Sequence, residues 1–245
     1  QHVARKDITV NLKRKLLTAG AALSLAAVAM GALLDAKPRI LAVGEAHARA
    51  GTEGIVSATE RFEKELLPVV AKRGASELVV ELLKPAPECT KPVEAVARQE
   101  KQITQKQSGE NKNRFVSLGV AAKNLGITPF LLEPECASYR RIAEAGDDSV
   151  VQMLSVIKEE TRRRVARFYD KQSQVAARGG VPRMIVAYGG AMHNDLDVDD
   201  TKAEFSFGPA LSDLSGGQYL ELDLIVPEFI ADTEVWKALP WYSAI

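Results

Sequence analysis

Of the three histidines in the chain, the two beyond residue 37 each follow an apolar run and a glycine. His47 closes Gly44-Glu45-Ala46-His47, and His193 lies in Gly189-Gly190-Ala191-Met192-His193-Asn194-Asp195. Glu81 stands near the end of another apolar run, and Glu133 and Glu135 follow a third, on either side of Pro134. Imidazoles and carboxylates are the ordinary side chains of metal-assisted hydrolysis and of general acid–base chemistry. Glycines beside them let the backbone turn sharply and come close to a ligand. Brought together, Glu45, His47, Glu81 and His193 form one catalytic or metal-binding cluster, with Glu133, Glu135 and Asp195 available to support it. Two histidines and two or more carboxylates suit a divalent ion such as zinc or manganese. Without metal, the same group serves as a base held by carboxylates. Asp195 stands where it could orient His193.

Convergence requires elements that end at one place. Residues 39–44, 77–83, 127–132 and 183–189 are short, nearly continuous apolar runs, as expected of strands buried on both faces in a parallel sheet. Residues 219–226 alternate apolar with acidic side chains, the pattern of a half-exposed edge strand. Between the runs, Ile55, Phe62, Leu66, Leu67 and Val70 recur at helical spacing within residues 52–72. Residues 92–108 and 112–125 read as two polar helices, or as one broken at Gly109. Residues 150–178 form a long helical pattern with Met153, Leu154, Ile157, Val165 and Phe168 on one side. This alternation predicts an α/β fold with a mixed, mainly parallel central sheet and helices on both faces. Ligands of such sheets bind beyond the carboxyl ends of the strands, where all the candidate residues fall. Residues 38–245 are expected to form a single α/β domain with a helical cap formed by about 90–125 and 148–180. The very polar stretch 98–114 reads as a solvated helix face or as a lid over the strand ends. Arg162, Arg163, Arg164 and Arg167 read as a basic face, solvated or paired with Glu159 and Glu160.

The composition excludes several classes. A hydrophobic content of 46% is too high for a disordered chain, and equal numbers of basic and acidic residues (32 each) argue against a nucleic-acid binder. The neutrality hides an asymmetry. Arg5, Lys6, Lys13, Arg14, Lys15 and Lys37 outweigh Asp7 and Asp35 in residues 1–37, so the remainder is mildly acidic. Residues 16–34 carry no charge and follow Lys13-Arg14-Lys15 directly. A basic start, an apolar run and the small residues Ala27-Val28-Ala29 make residues 1–37 an export leader or an uncleaved membrane anchor. The body would then be periplasmic or extracellular, touching a membrane only through this leader.

With these motifs in place, the chain resembles the haem-binding uptake/Tiki superfamily, which includes erythromycin esterases, ChaN-like proteins and TraB/Tiki proteins. Val43-Gly44-Glu45-Ala46-His47 is similar to the first-strand motif. Glu81 is similar to the acidic residue of the second strand, and Gly190-Ala191-Met192-His193 to the closing histidine motif. The layout covers most of residues 39–226. The resemblance implies a mixed α/β fold with a Glu/His cleft and an activity of the esterase or metallopeptidase kind on a small-molecule or peptide substrate. It equally implies an alternative, a periplasmic protein that binds haem, metal or a small ligand without turnover. Two departures stand out. No second histidine follows in Ala48-Arg49-Ala50-Gly51-Thr52, and the leader has no cysteine of the lipoprotein kind.

Cys89 and Cys136, the two cysteines, each lie a few residues beyond a predicted strand, the second and the third. In an exported protein they are a candidate disulfide; otherwise they are separate thiols. The closing residues 226–245, with Trp236, Trp241 and Tyr242, are expected to pack on the domain or to meet a partner.

Overall fold

The computed structural model describes residues 19–198, 200, 202–230 and 234–238. The start of the basic leader, the side chain of Trp236, and Trp241 and Tyr242 lie outside the described residues. In chain order the elements are α1 (Ala19–Leu34), β1 (Ile40–Glu45), α2 (Ala58–Arg61), α3 (Leu67–Lys72), β2 (Ala75–Leu83), α4 (Thr90–Ile103) and α5 (Asn111–Asn124). They continue with β3 (Thr128–Leu132), α6 (Cys136–Glu144), α7 (Ser149–Ala177), β4 (Met184–Gly190), α8 (Gly208–Leu214), β5 (Tyr219–Leu224), α9 (Pro227–Ile230) and α10 (Glu234–Lys237). A π-helical segment, Phe62–Leu66, joins α2 to α3. Pro68 lies two residues beyond it; its ring and missing N–H disfavour a regular α turn there, and a widened turn relieves both.

The described strands form one parallel sheet in the order β3-β2-β4-β1-β5. It is the α/β fold expected, with helices on both faces. Strand periodicity of two sends alternate residues to opposite faces. Leu41 and Val43 of β1, with Val186 and Tyr188 of β4, meet Phe62, Leu67, Phe115 and Leu118 on one face. Ile40, Ala42, Ile185 and Ala187 meet Ile142, Val156, Val165 and Leu211 on the other. β5 is the half-buried edge strand that its alternation predicts. β3 is the opposite edge, so Pro129, Phe130 and Leu131 are only partly covered while Leu132 is buried, in contrast to the fully buried strand its sequence suggests. Phe130 is sheltered by Phe168, with ring centroids 4.5 Å apart.

The order of the strands fixes where a ligand can enter. β1 and β4 are neighbours, yet their following connections leave on opposite faces. The chain after β1 enters α2, the π-helical segment and α3, whose Phe62 and Leu67 belong to the first core, and the chain after β4 enters α8, whose Leu211 belongs to the second. Adjacent connections that diverge open a crevice above the strand ends.

The segments expected as a cap divide in two. α5 and α7 lie along the sheet, burying Phe115 and Leu118 on one face and Val156 and Val165 on the other. The roof is the turn between α4 and α5, which is tied to the chain beyond β1. Ala50 N–H donates to the carbonyl of Lys106 (3.0 Å), and Ser108 N–H to that of Ala48 (2.8 Å). Met30 and Leu34, in the last turns of α1, are buried in the first core. Val28 and Leu33 face outward, 68% and 46% exposed. Among the described residues, no helix is long and apolar enough to cross a membrane.

Cys89 and Cys136 are joined by a disulfide across a sequence separation of 47 residues, with Cα atoms 5.6 Å apart. It fastens the chain after β2 to the start of α6. Closing a loop of this length restricts the unfolded chain by about 4 kcal/mol on the chain-entropy model. Cys89→Ser/Cys136→Ser is therefore expected to lower the unfolding free energy in urea by about 2–4 kcal/mol. Reductant should produce the same loss in the parent protein and none in the variant.

Candidate functional site

Glu45 is the last residue of β1 and lies on the same face as Leu41 and Val43. It is 4% exposed, and a buried carboxylate needs partners. Thr59, at the start of α2, donates its hydroxyl to Oε2 at 2.7 Å, and Tyr188 of β4 donates to the same oxygen at 2.8 Å. Burial pushes the Tyr188 hydroxyl well above the ordinary tyrosine range, so it stays a donor at neutral pH. Oε1 lies 2.8 Å from Nδ1 of His47. A carboxylate oxygen accepts, so Nδ1 carries the proton of this bond. Both oxygens of Glu45 are thereby engaged, and Glu45 acts by holding His47. Phe115 packs edge-on against the His47 ring at 5.8 Å and against Tyr188 at 5.9 Å, steadying both.

His193 is fixed in the same way by a different partner. It sits in the tight turn Ala191–His193 beyond β4 and is 3% exposed. Its Nδ1 lies 2.8 Å from the carbonyl oxygen of Phe205, which can only accept, so here too Nδ1 is the donor. Asp195, expected to orient His193, is not this partner. It gathers instead with Glu221 and Asp223 of β5.

Glu81 lies near the end of β2 on the opposite face from Glu45. It reaches across β4, where its Oε2 accepts the backbone N–H of Gly190 at 2.7 Å. Its Oε1 is 3.7 Å from Nε2 of His193. Gly189 makes this possible, because a Cβ there would overlap the Glu81 carboxylate. Gly44 serves the other side of β1, where a Cβ would collide with Asn194, Asp223 and the backbone of Ala191. A Cβ placed on Gly190 would stand 3.6 Å from His47 Nε2, 3.7 Å from Glu81 Oε2 and 3.9 Å from His193 Cδ2. The three side chains thus surround one point on the floor of a cavity of about 450 Å³.

The electrostatics follow from the donors. Burial alone would lower the His47 imidazole; the hydrogen bond to Glu45 and the charges of Glu81 and Glu45 outweigh it and raise it above its ordinary 6.5. With both Nδ1 atoms spent as donors, each neutral imidazole presents a lone pair at Nε2. Those two nitrogens and the Glu81 carboxylate border the same cavity floor, where the Gly190 N–H donates to Glu81 Oε2.

The other expected residues lie elsewhere. Glu133 is held by Lys84 (2.9 Å) and Arg164 (2.7 Å), whose hydrogen bonds bring its carboxyl down to about 2. It does not line the cavity, and neither does Glu135, an exposed residue just before α6 beside the disulfide. The basic face pairs as expected in part: Arg163 bonds Glu160, whereas Arg164 bonds Glu133. Among the described residues, Asp195, Glu221 and Asp223 are the group whose ligating atoms all lie within 4.8 Å of one another. Burial raises the Glu221 and Asp223 carboxyls, and the nearby Asp195 charge adds to this. Asn194 donates to Asp223 at 3.1 Å and the N–H of Leu196 to Glu221 at 2.7 Å.

Sequence reasoning did not find Thr59, Tyr188 or the carbonyl of Phe205. Tyr188 carried a weak signal, a polar-tipped residue in a strand otherwise apolar. The other two carried none, since a helix-terminal threonine is usually a cap and a carbonyl has no residue type.

No protein-family model matches the chain, and no curated protein does. Among solved structures it is similar to the type III effector HopBA1, at 10% identity and a TM-score of 0.35, over 71% of this chain and 73% of that one. A likeness at that score carries no argument about what this chain does.

Two outcomes test the site as built. By NMR, His47 should titrate above 6.5 in the free protein, and in Glu45→Gln it should fall below, because burial stays while the carboxylate leaves. A raised folded value means that the stabilisation from protonated His47 is complete below pH 6.5 and fades as pH rises through the folded value. Gly189→Ala should displace Glu81 from the Gly190 N–H; an unshifted Gly190 amide resonance would contradict the overlap.

Proposed function

We propose that the cleft is the active site of a hydrolase that cleaves an ester or amide bond with the help of a divalent metal ion. The observation that carries this is the gathering of His47, Glu81 and His193 around one point above Gly190, with each imidazole fixed through its Nδ1. Two imidazole acceptors and a carboxylate around one point favour a proton or a cation in their midst. The donor set fits a zinc or manganese ion in type: two imidazoles, each fixed through its other nitrogen, and one carboxylate. The three ligating atoms are not all within 4.8 Å of one another, so ligation would draw them inward. When bound, such an ion polarises a carbonyl and makes water a nucleophile near neutral pH.

The chain's own residues divide the remaining work. Glu45 keeps the His47 proton on Nδ1 and so keeps Nε2 directed at the cleft, while Phe205 does the same for His193. Glu81 is the group within reach to take a proton from attacking water and return it to the leaving atom. The roof turn and the aromatic wall at Phe115 limit the water present, which strengthens each of these interactions.

The export reading belongs to the same proposal. The basic, uncharged-run leader and the Cys89–Cys136 disulfide both favour an oxidising compartment outside the cytoplasm.

His47→Ala and His193→Ala should each lower turnover of ester or peptide substrates by about 10²–10⁴-fold with unchanged far-UV circular dichroism. A chelator should remove activity from the parent protein, and zinc or manganese should restore it. A carrier without turnover predicts the reverse pattern: no hydrolysis in the parent, and a strong Soret band on adding haem that is lost in the same variants.

A further inference from the structure

The cleft above the Glu/His floor is sorted by polarity. Leu82 at the end of β2, Phe115 of α5 and Met192 beyond β4 surround the floor, and Met153, Leu154 and Ile157 in the first turns of α7 continue the same apolar wall. The polar lining is gathered on the roof, from Glu100 to Lys112. Lys112 is the cation among the lining residues, and its ammonium is paired with Glu100 at 3.0 Å. The Asn111 amide is likewise engaged, donating to the Ala48 carbonyl at 3.0 Å. The other ionisable groups lining the cavity, Glu45, His47, Glu81 and His193, are all on the floor. Away from the floor, an anion meets Glu100 and a lysine already paired with it, whereas an apolar chain meets side chains that water solvates poorly. A cavity of about 450 Å³ is large enough for a chain or ring of drug-like size beside the reacting carbonyl.

From this sorting we infer that the substrate is an uncharged ester or amide carrying an apolar chain or ring, which lies against the first turns of α7 while its carbonyl rests at His47 and His193. The inference rests on the hydrolase reading for the bond cleaved, and on the lining alone for the apolar group. Each methylene moved from water to such a wall favours binding by about fourfold, the factor for roughly 0.8 kcal/mol. The chain can stand on the acyl or the alcohol side of the bond, and two substrate series separate these.

The test uses the full chain with 4-nitrophenyl acetate, butyrate, octanoate and dodecanoate, and in parallel the acetates of butanol and octanol. In one series kcat/KM should climb by about fourfold per methylene up to octanoate or octyl acetate. An octanoate analogue ending in a carboxylate should be roughly tenfold or more slower than the neutral ester. Leu154→Gln and Met192→Gln should flatten the climb, read as the ratio of octanoyl to acetyl turnover. Hydrolysis without dependence on chain length would overturn this inference and leave the hydrolase reading standing. If no ester or amide is cleaved, binding of the neutral dye N-phenyl-1-naphthylamine and its displacement by octyl methyl ketone decide the matter. Displacement weakened by Leu154→Gln supports the apolar site while the hydrolase reading falls; absence of binding overturns both.

Discussion

Two imidazoles and a carboxylate face one another at the base of the cleft, and the rest of the structure is arranged around keeping them there. Each histidine is anchored through Nδ1, one by the carboxylate of Glu45 and the other by the carbonyl of Phe205. Anchoring decides the tautomer, and the tautomer leaves Nε2 as an acceptor. Glu81 is anchored by a backbone N–H through one oxygen, and its other oxygen is turned towards His193. Such a group repels itself unless something positive occupies its centre. Behind it, Thr59 and Tyr188 hold Glu45 in a buried network.

The backbone must be bare where these side chains cross it. Glu81 can pass over β4 because Gly189 has no side chain, and the turn carrying His193 can close against β1 because Gly44 has none. Both glycines sit in adjacent positions of the parallel register, Gly44 opposite Gly189. They mark the divergence of the chain after β1 and after β4 to opposite faces, which opens the crevice. The roof turn closes it from above by pairing with the residues that follow His47, so the histidine loop and the roof are held as one unit.

Much of this was legible from residue types. Four apolar runs with Gly, Glu or His at or just beyond their ends announced parallel strands and one rim, and Glu45, His47, Glu81 and His193 lie there. What was hidden follows from physics that sequence does not record. The order of strands made β3 an edge, so an apolar run was only half covered. Glu133 has the same residue type and the same strand-end position as Glu81, but Lys84 and Arg164 claim it outside the cavity. Asp195 is two residues from His193, yet the carbonyl of Phe205 reaches the ring nitrogen instead, from twelve residues along the chain. The alternation of β5 read as mere exposure, whereas Glu221 and Asp223 gather with Asp195 there.

Calorimetric titration of the metal-stripped protein with zinc tests the central claim most directly, since it asks for the cation that the three acceptors demand and needs no substrate. One ion should bind per chain, with affinity lost in His193→Ala and in Glu81→Gln and retained in Glu221→Gln/Asp223→Asn. Zinc binding that survives His193→Ala and Glu81→Gln, or that disappears only with Glu221→Gln/Asp223→Asn, would contradict the account.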